Sequence, residues 1–315
     1  MSGVPPGVTE SSLQLPSGVR LNYLRAGKGL ARREPVILLH GIGHSARAWD
    51  HTMLPLAQHY DVIAPDLPGC GKSDKPDTDY SLGNQAAAVR YFMDALEIDR
   101  ATIVGHSLGG GVAMTFSYMY PERVSRLGVV SSGGLGKEIS AIFKAANIPV
   151  APKYVMRYLF HPRARLARNI ATEIAFLAGA DPLFSRPGGF TRDTEEMLLD
   201  MEDPRAQAAF LGMLRSSSNV LGQAVSALDR LHLAERYPVL IVWGANDRVF
   251  PVSHARRAAR VLPRARVEVF KDCGHMPQLE KADLFNEVLL DWMRTTKPAK
   301  VDVRDIVKAA KAPAA

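Results

Sequence analysis

Cysteine is nearly absent from this chain: Cys70 and Cys273 are the two in 315 residues. Two thiols are too few for a disulfide framework and stand in no metal-ligand spacing, so they read as ordinary reduced side chains and no metal is expected. No uninterrupted apolar run of about 18 residues occurs, which speaks against a membrane-spanning helix. Met1 to Gln14 carries Pro5, Pro6, Glu10 and several serines where a secretory leader needs an apolar stretch. These absences give the expectation of a cytoplasmic protein without stable membrane insertion.

Acidic residues are outnumbered, 32 against 39 Lys and Arg, for a formal net charge of +7. Much of the excess is local. From Trp292 to Ala315 six basic residues face two acidic ones, Asp302 and Asp305. Residues 296–315 read as a solvated basic tail, and no nucleic-acid-binding motif accompanies them, so nucleic acid is not an expected partner. Nothing in the chain reads out an oligomeric state.

What the chain does have is a rhythm. Apolar runs at Val36–Leu39, Val62–Ala64, Thr102–Val104, Leu127–Val130, Leu240–Trp243 and Val267–Phe270 alternate with helical patterns at Asn84–Leu96, Gly110–Tyr120, His254–Leu262 and Leu284–Arg294. Short continuous apolar strands between helices predict an α/β fold with a doubly wound, mostly parallel sheet. Gly18–Leu24 alternates polar and apolar residues and suits an antiparallel edge hairpin. The rhythm stops after Ser131-Ser132-Gly133-Gly134 and resumes near Pro238. Residues 1–134 and 235–295 therefore read as the core, and 135–234 as an inserted helical cap. Within the cap, Lys153–Arg168 holds five basic side chains and no acid, and Asp193–Asp203 six acids and no base. A basic, apolar lid could recruit an anionic or lipid-like substrate, or the two runs could face each other or water.

Gly105-His106-Ser107-Leu108-Gly109 lies between a strand pattern and a helix pattern. A serine on such a turn is held exposed, and the turn is tight enough to demand small residues two positions to either side. A hydroxyl becomes a nucleophile when a base takes its proton, and the base needs an orienting group. Asp247 and His275 each follow a late strand pattern, and loops at the carboxyl ends of parallel strands converge on one crevice. The order Ser107, Asp247, His275 thus reads as a catalytic triad. His106 reads as a structural neighbour pointing away from the nucleophile. The backbone N–H of Leu108 and that of Ile42, in His40-Gly41-Ile42-Gly43 after an early strand, are the expected donors to an oxyanion. Trp49, Phe143, Met156, Phe160, Phe176 and Met213 are apolar candidates for a substrate pocket, and each serves equally well as a core residue.

With His40-Gly41, Asp66-Leu67-Pro68-Gly69-Cys70-Gly71-Lys72-Ser73, the Ser107 turn, Asp247 and Gly274-His275 in view, the chain resembles the α/β-hydrolase superfamily from about Val19 to Arg294. The Asp66–Ser73 stretch is similar to that of the epoxide hydrolase, dehalogenase and carbon–carbon bond hydrolase branch, in which a helical cap shapes the pocket. Epoxide hydrolases and haloalkane dehalogenases carry Asp where this chain has Ser107, which argues against both chemistries. The resemblance implies a serine hydrolase of a small-molecule carboxylic ester or thioester, using no cofactor. Carbon–carbon bond hydrolysis of a vinylogous diketone and a ligand-binding or signalling role with little turnover stay open.

Overall fold

In the computed structural model the described residues are 4–27, 34–148, 161, 163, 197–302 and 304. Eight strands form one sheet: β1 Val8–Gln14, β2 Arg20–Ala26, β3 Pro35–Leu39, β4 Asp61–Pro65, β5 Ala101–His106, β6 Val124–Val130, β7 Val239–Gly244 and β8 Arg266–Phe270. Their order is β1-β2-β4-β3-β5-β6-β7-β8. β1 and β2 are antiparallel, β2 joins β4 antiparallel, and every later pairing is parallel. The helices that position the site are α1 Asp50–Ala57, α2 Leu82–Ala95, α3 Leu108–Met119, α4 Ala141–Ala145, α5 Pro204–Ser217, α6 Ser253–Val261, α7 Pro277–Glu280 and α8 Ala282–Thr295.

The period-2 alternation of side chains along a strand splits the apolar runs between two cores. Ile37 and Leu39, with Ile103, Leu127 and Ile241, face Phe92 of α2 and Phe116 of α3. Val36 and Leu38, with Val104, Leu240 and Val242, face Met53 of α1 and Leu289 and Trp292 of α8. A strand covered on both faces has to be apolar at every position, which is why these segments read as continuous runs rather than alternating ones.

The structure adds one strand to the sequence reading and moves one residue. Gly18–Leu24 does belong to an antiparallel hairpin at the sheet edge, as its turn and second strand; the outermost strand is β1, which pairs from Val8 with Ala26 to Gln14 with Arg20. β1 has no apolar run in the sequence because it is an edge strand with an exposed stretch, Thr9 to Ser12. Trp49, expected in the substrate pocket, is instead a core residue: it is fully buried in the second core, with its ring 6.0 Å from that of Phe285.

The loop after β4 is bound to the loop after β3 by one carboxylate. Asp66, 2% exposed, accepts from the backbone N–H of Ala46 at 2.7 Å, from that of Lys72 at 2.9 Å and from Asn22 Nδ2 at 3.0 Å. His40 Nε2 accepts from the N–H of Leu67 at 2.9 Å across the same seam. Bonds to an ionised acceptor are the stronger kind, and removing the acceptor leaves buried N–H groups without a partner. Asp66→Ala should therefore lower unfolding stability by on the order of 3 kcal/mol, read as a lower urea midpoint at unchanged slope.

Candidate active site

Ser107 follows the last residue of β5 and precedes the first of α3, with φ 54° and ψ −116°. A non-glycine residue in that region is strained by about 1–3 kcal/mol and is held there by its surroundings. The surroundings are largely backbone. The Ser107 N–H donates to Val130 O at 2.9 Å, and the Ser107 carbonyl accepts from the N–H of Gly110 at 3.1 Å. A Cβ on Gly105 would collide with the Gly109 carbonyl, and one on Gly109 with the carbonyls of Leu39 and His40. Both glycines are thus required by contact, as the sequence pattern demanded.

The turn points the hydroxyl at His275. His275 Nε2 lies 3.1 Å from Ser107 Oγ, and His275 Nδ1 lies 3.0 Å from Asp247 Oδ2. A carboxylate only accepts, so Nδ1 carries the hydrogen and Nε2 is left as the acceptor for the serine hydroxyl. Asp247 is itself fixed, because its Oδ1 accepts from the N–H groups of Val249 at 2.8 Å and Phe250 at 2.9 Å. The three residues are each less than a tenth exposed. A buried, oriented chain of this kind can move a proton from the hydroxyl to the imidazole and balance the cation that results.

The Leu108 N–H is the first of α3, whose leading amides have no intrahelical partner. Ile42, from the loop after β3, shares a cavity with Ser107 and Leu108. That cavity is walled chiefly by Leu82, Phe143, Leu214, Val249 and Phe250, with Gly111 on the α3 side. Its polar walls are Ser217, Ser218 and Gln223, and each is engaged within the protein. Ser217 Oγ donates to Met213 O at 2.9 Å and Ser218 Oγ to Leu214 O at 2.9 Å. Gln223 Oε1 accepts from the Gly134 N–H at 2.6 Å while its Nε2 donates to Glu138 O at 2.9 Å. The described wall offers a ligand apolar surface and no charged side chain.

Of the pocket candidates, Phe143 lines this cavity. Met213 does not: it is buried behind Leu108 with Cys70, Tyr80 and Ala209, its sulfur 3.9 Å from that of Cys70. α5 turns Leu214 to the cavity and its neighbour away, a choice that helical periodicity makes and composition cannot. Met156, Phe160 and Phe176 lie outside the described residues, as does most of the basic run. Of the acidic run, Asp200 pairs with Lys75 at 3.0 Å and Asp203 caps α5 by accepting from the Arg205 N–H. Both cysteines are free and buried, and burial pushes the Cys70 thiol up to about 12 and Cys273 upward as well. Among the described residues no trio of His, Cys, Asp or Glu is placed to hold a metal ion, and no helix is long and apolar enough to cross a membrane.

Two residues that sequence reading did not assign to the site brace it. The Glu280 carboxylate accepts from the N–H groups of Gly274 at 2.8 Å and Met276 at 2.9 Å, on either side of His275. An acid at the end of the short α7, five residues past the histidine, was the signal available for it. The second is His106, which packs on the base: its ring lies 4.9 Å from that of His275 and its Nε2 is 2.9 Å from the His275 carbonyl.

The model of the alpha/beta hydrolase fold matches residues 34–282, a span that holds the turn, both loops and the whole parallel sheet. The chain belongs to the alpha/beta hydrolase fold family. It is 40% identical to an uncharacterized protein of Mycobacterium tuberculosis over 286 residues, 90% of this chain and 81% of that one. It is 31% identical to the 2-hydroxy-6-oxo-6-phenylhexa-2,4-dienoate hydrolase of Burkholderia cepacia, over 88% of this chain and 92% of that one. Among solved structures it is similar to a bacterial membrane phospholipase A, with a TM-score of 0.72 and 26% identity over 92% of this chain and 88% of that one. Family members thus include hydrolases of chemically different substrates, and the fold alone does not choose between them.

Burial holds two histidines of this hydrolase-fold chain below the usual histidine range: His106 well below it, helped by the neighbouring His275, and His254 below it despite its bond to Glu138. Both stay neutral in the folded protein while the unfolded chain takes up protons below about pH 6.5, so unfolding binds protons and stability falls as pH drops from there. Urea unfolding should show a loss of stability between about pH 7 and about pH 5, and the loss should be smaller in His106→Gln, which removes one of the two groups.

Proposed function

We propose that the protein is a serine hydrolase of carboxylic esters or thioesters that works through an acyl intermediate on Ser107. The observation that carries this reading is the continuous hydrogen-bonded chain Ser107, His275, Asp247 opening onto an apolar cavity. In the first half-reaction Ser107 Oγ attacks the acyl carbon as His275 Nε2 takes its proton. Asp247 stabilises the imidazolium, and the N–H groups of Ile42 and Leu108 hold the oxygen that becomes negative. His275 then gives the proton to the departing alcohol or thiol. Water, activated by the same imidazole, releases the acid and restores Ser107. In this reading residues 135–234 act as a cap over the acyl site, and Phe143 and Leu214 are the part of it that meets the acyl chain.

The Burkholderia relative favours a second reading, cleavage of a dienoate of the kind its name describes. Such a substrate is a carboxylate. An anion buried without a cation costs several kcal/mol, and among the described residues the cavity wall holds no charged side chain, which supports the ester.

Steady-state hydrolysis of p-nitrophenyl esters from acetate to palmitate tests the proposal. The parent should turn over repeatedly, and Ser107→Ala should lose on the order of a millionfold in kcat. Turnover of a dienoate but of no ester would move the reading to the second chemistry; binding without turnover would make the protein a receptor. Gly111 lies one helical turn past Ser107, and a Cβ there would already press on Leu82 at 3.3 Å. Gly111→Val should therefore shift the preferred acyl chain towards acetate, with activity on long esters falling by tenfold or more, on the order of a methyl-scale steric discrimination.

A further inference from the structure

We infer that His106 is a positioning residue that sets the nucleophile-to-base distance by holding the backbone of His275, an inference that rests on the serine-hydrolase reading above. His106 is fully buried, and its side chain belongs to neither the Ser107–His275–Asp247 chain nor the cavity wall. Its Nε2 lies 2.9 Å from the carbonyl oxygen of His275. A carbonyl only accepts, so Nε2 carries the hydrogen and the Nδ1 of a neutral ring keeps a lone pair. Among the described residues Nδ1 has no hydrogen-bond partner, and Gly41 of the oxyanion loop packs over it: a Cβ built on Gly41 would stand 3.1 Å from Nδ1 and 3.1 Å from Ser107 Cβ. A neutral ring in this place adds no positive charge beside the imidazolium that His275 must become.

The mechanical argument follows from connectivity. His275 sits in the loop between β8 and α7, and its ring bonds fix how it is aimed, not where its backbone lies. Glu280 fastens the amides before and after it, but Glu280 belongs to the same loop region. His106 is the residue covalently attached to Ser107, so its bond to the His275 carbonyl joins the two partners by one peptide unit and one imidazole. A displacement of 1 Å at a reacting centre can cost about a hundredfold in rate.

The test compares parent, His106→Leu, His106→Met and His106→Gln on p-nitrophenyl butanoate. Leu and Met remove the donor by different shapes, so one folded variant of the two suffices, and Gln can return an amide N–H near the former Nε2. Sites are counted by intact mass after exhaustive fluorophosphonate labelling, so that kcat refers to folded protein. The donor-free variants should lose about tenfold or more in kcat, with KM within about twofold and the initial rate of Ser107 labelling falling in proportion; Gln should recover most of the loss. Parental kcat per titrated site in a donor-free variant, or a Gln variant no better than Leu, overturns the inference while leaving the serine-hydrolase reading intact. A parent that neither hydrolyses esters nor labels at Ser107 overturns that reading and this inference with it.

Discussion

The constraint on which everything else depends is the close approach of backbone to backbone at the turn between β5 and α3. Ser107 adopts φ 54° because the chain has to leave the centre of the sheet and enter a helix within one residue. That geometry is tolerated because Gly105 and Gly109 let carbonyls of the helix and of the neighbouring β3 loop lie where side chains would stand. The strain is held by the sheet: β5 is central, flanked by β3 and β6, and the Ser107 amide is bonded to the end of β6. A local conformation worth about 1–3 kcal/mol is small against the burial of two cores.

From that fixed point the site is assembled by strand ends. β7 delivers Asp247 and β8 delivers His275 to the same edge of the sheet, because parallel strands all finish there. Hydrogen bonds then remove the remaining freedom in a nested way. Asp247 is held by backbone amides, His275 by Asp247, and the hydroxyl by His275, so each group is oriented by one more rigid than itself. Asp66 does the same work on the opposite side, tying the Ile42 loop to the loop after β4. Reactive groups held in this way need little reorganisation as charge develops.

The cavity obeys a different logic. Its polar wall residues hydrogen-bond to the protein's own backbone, so a surface that contains two serines and a glutamine behaves as an apolar one. The distinction matters for substrate choice, since a donor already engaged gives a ligand nothing. The half-buried Lys75–Asp200 pair ties the segment before α5 to the loop that Asp66 organises.

The sequence by itself determined the class of fold and the positions of the candidate site residues. Continuous apolar runs declared strands covered on both faces, and the glycine spacing around Ser107 declared a turn that no other residue could make. Asp247 and His275 were legible because each follows a strand, where residues distant in the chain are obliged to meet. Only the tertiary structure decided which way side chains face. Trp49 and Phe143 are both large and apolar; the first went to the core beneath the sheet and the second to the cavity because packing, not composition, chooses the partner surface. It also decided that His106 touches His275, since a hydrogen bond between segments 169 residues apart leaves no periodic trace in sequence. An exposed edge strand such as β1 buries too little apolar surface to announce itself, and only its ladder with β2 defines it.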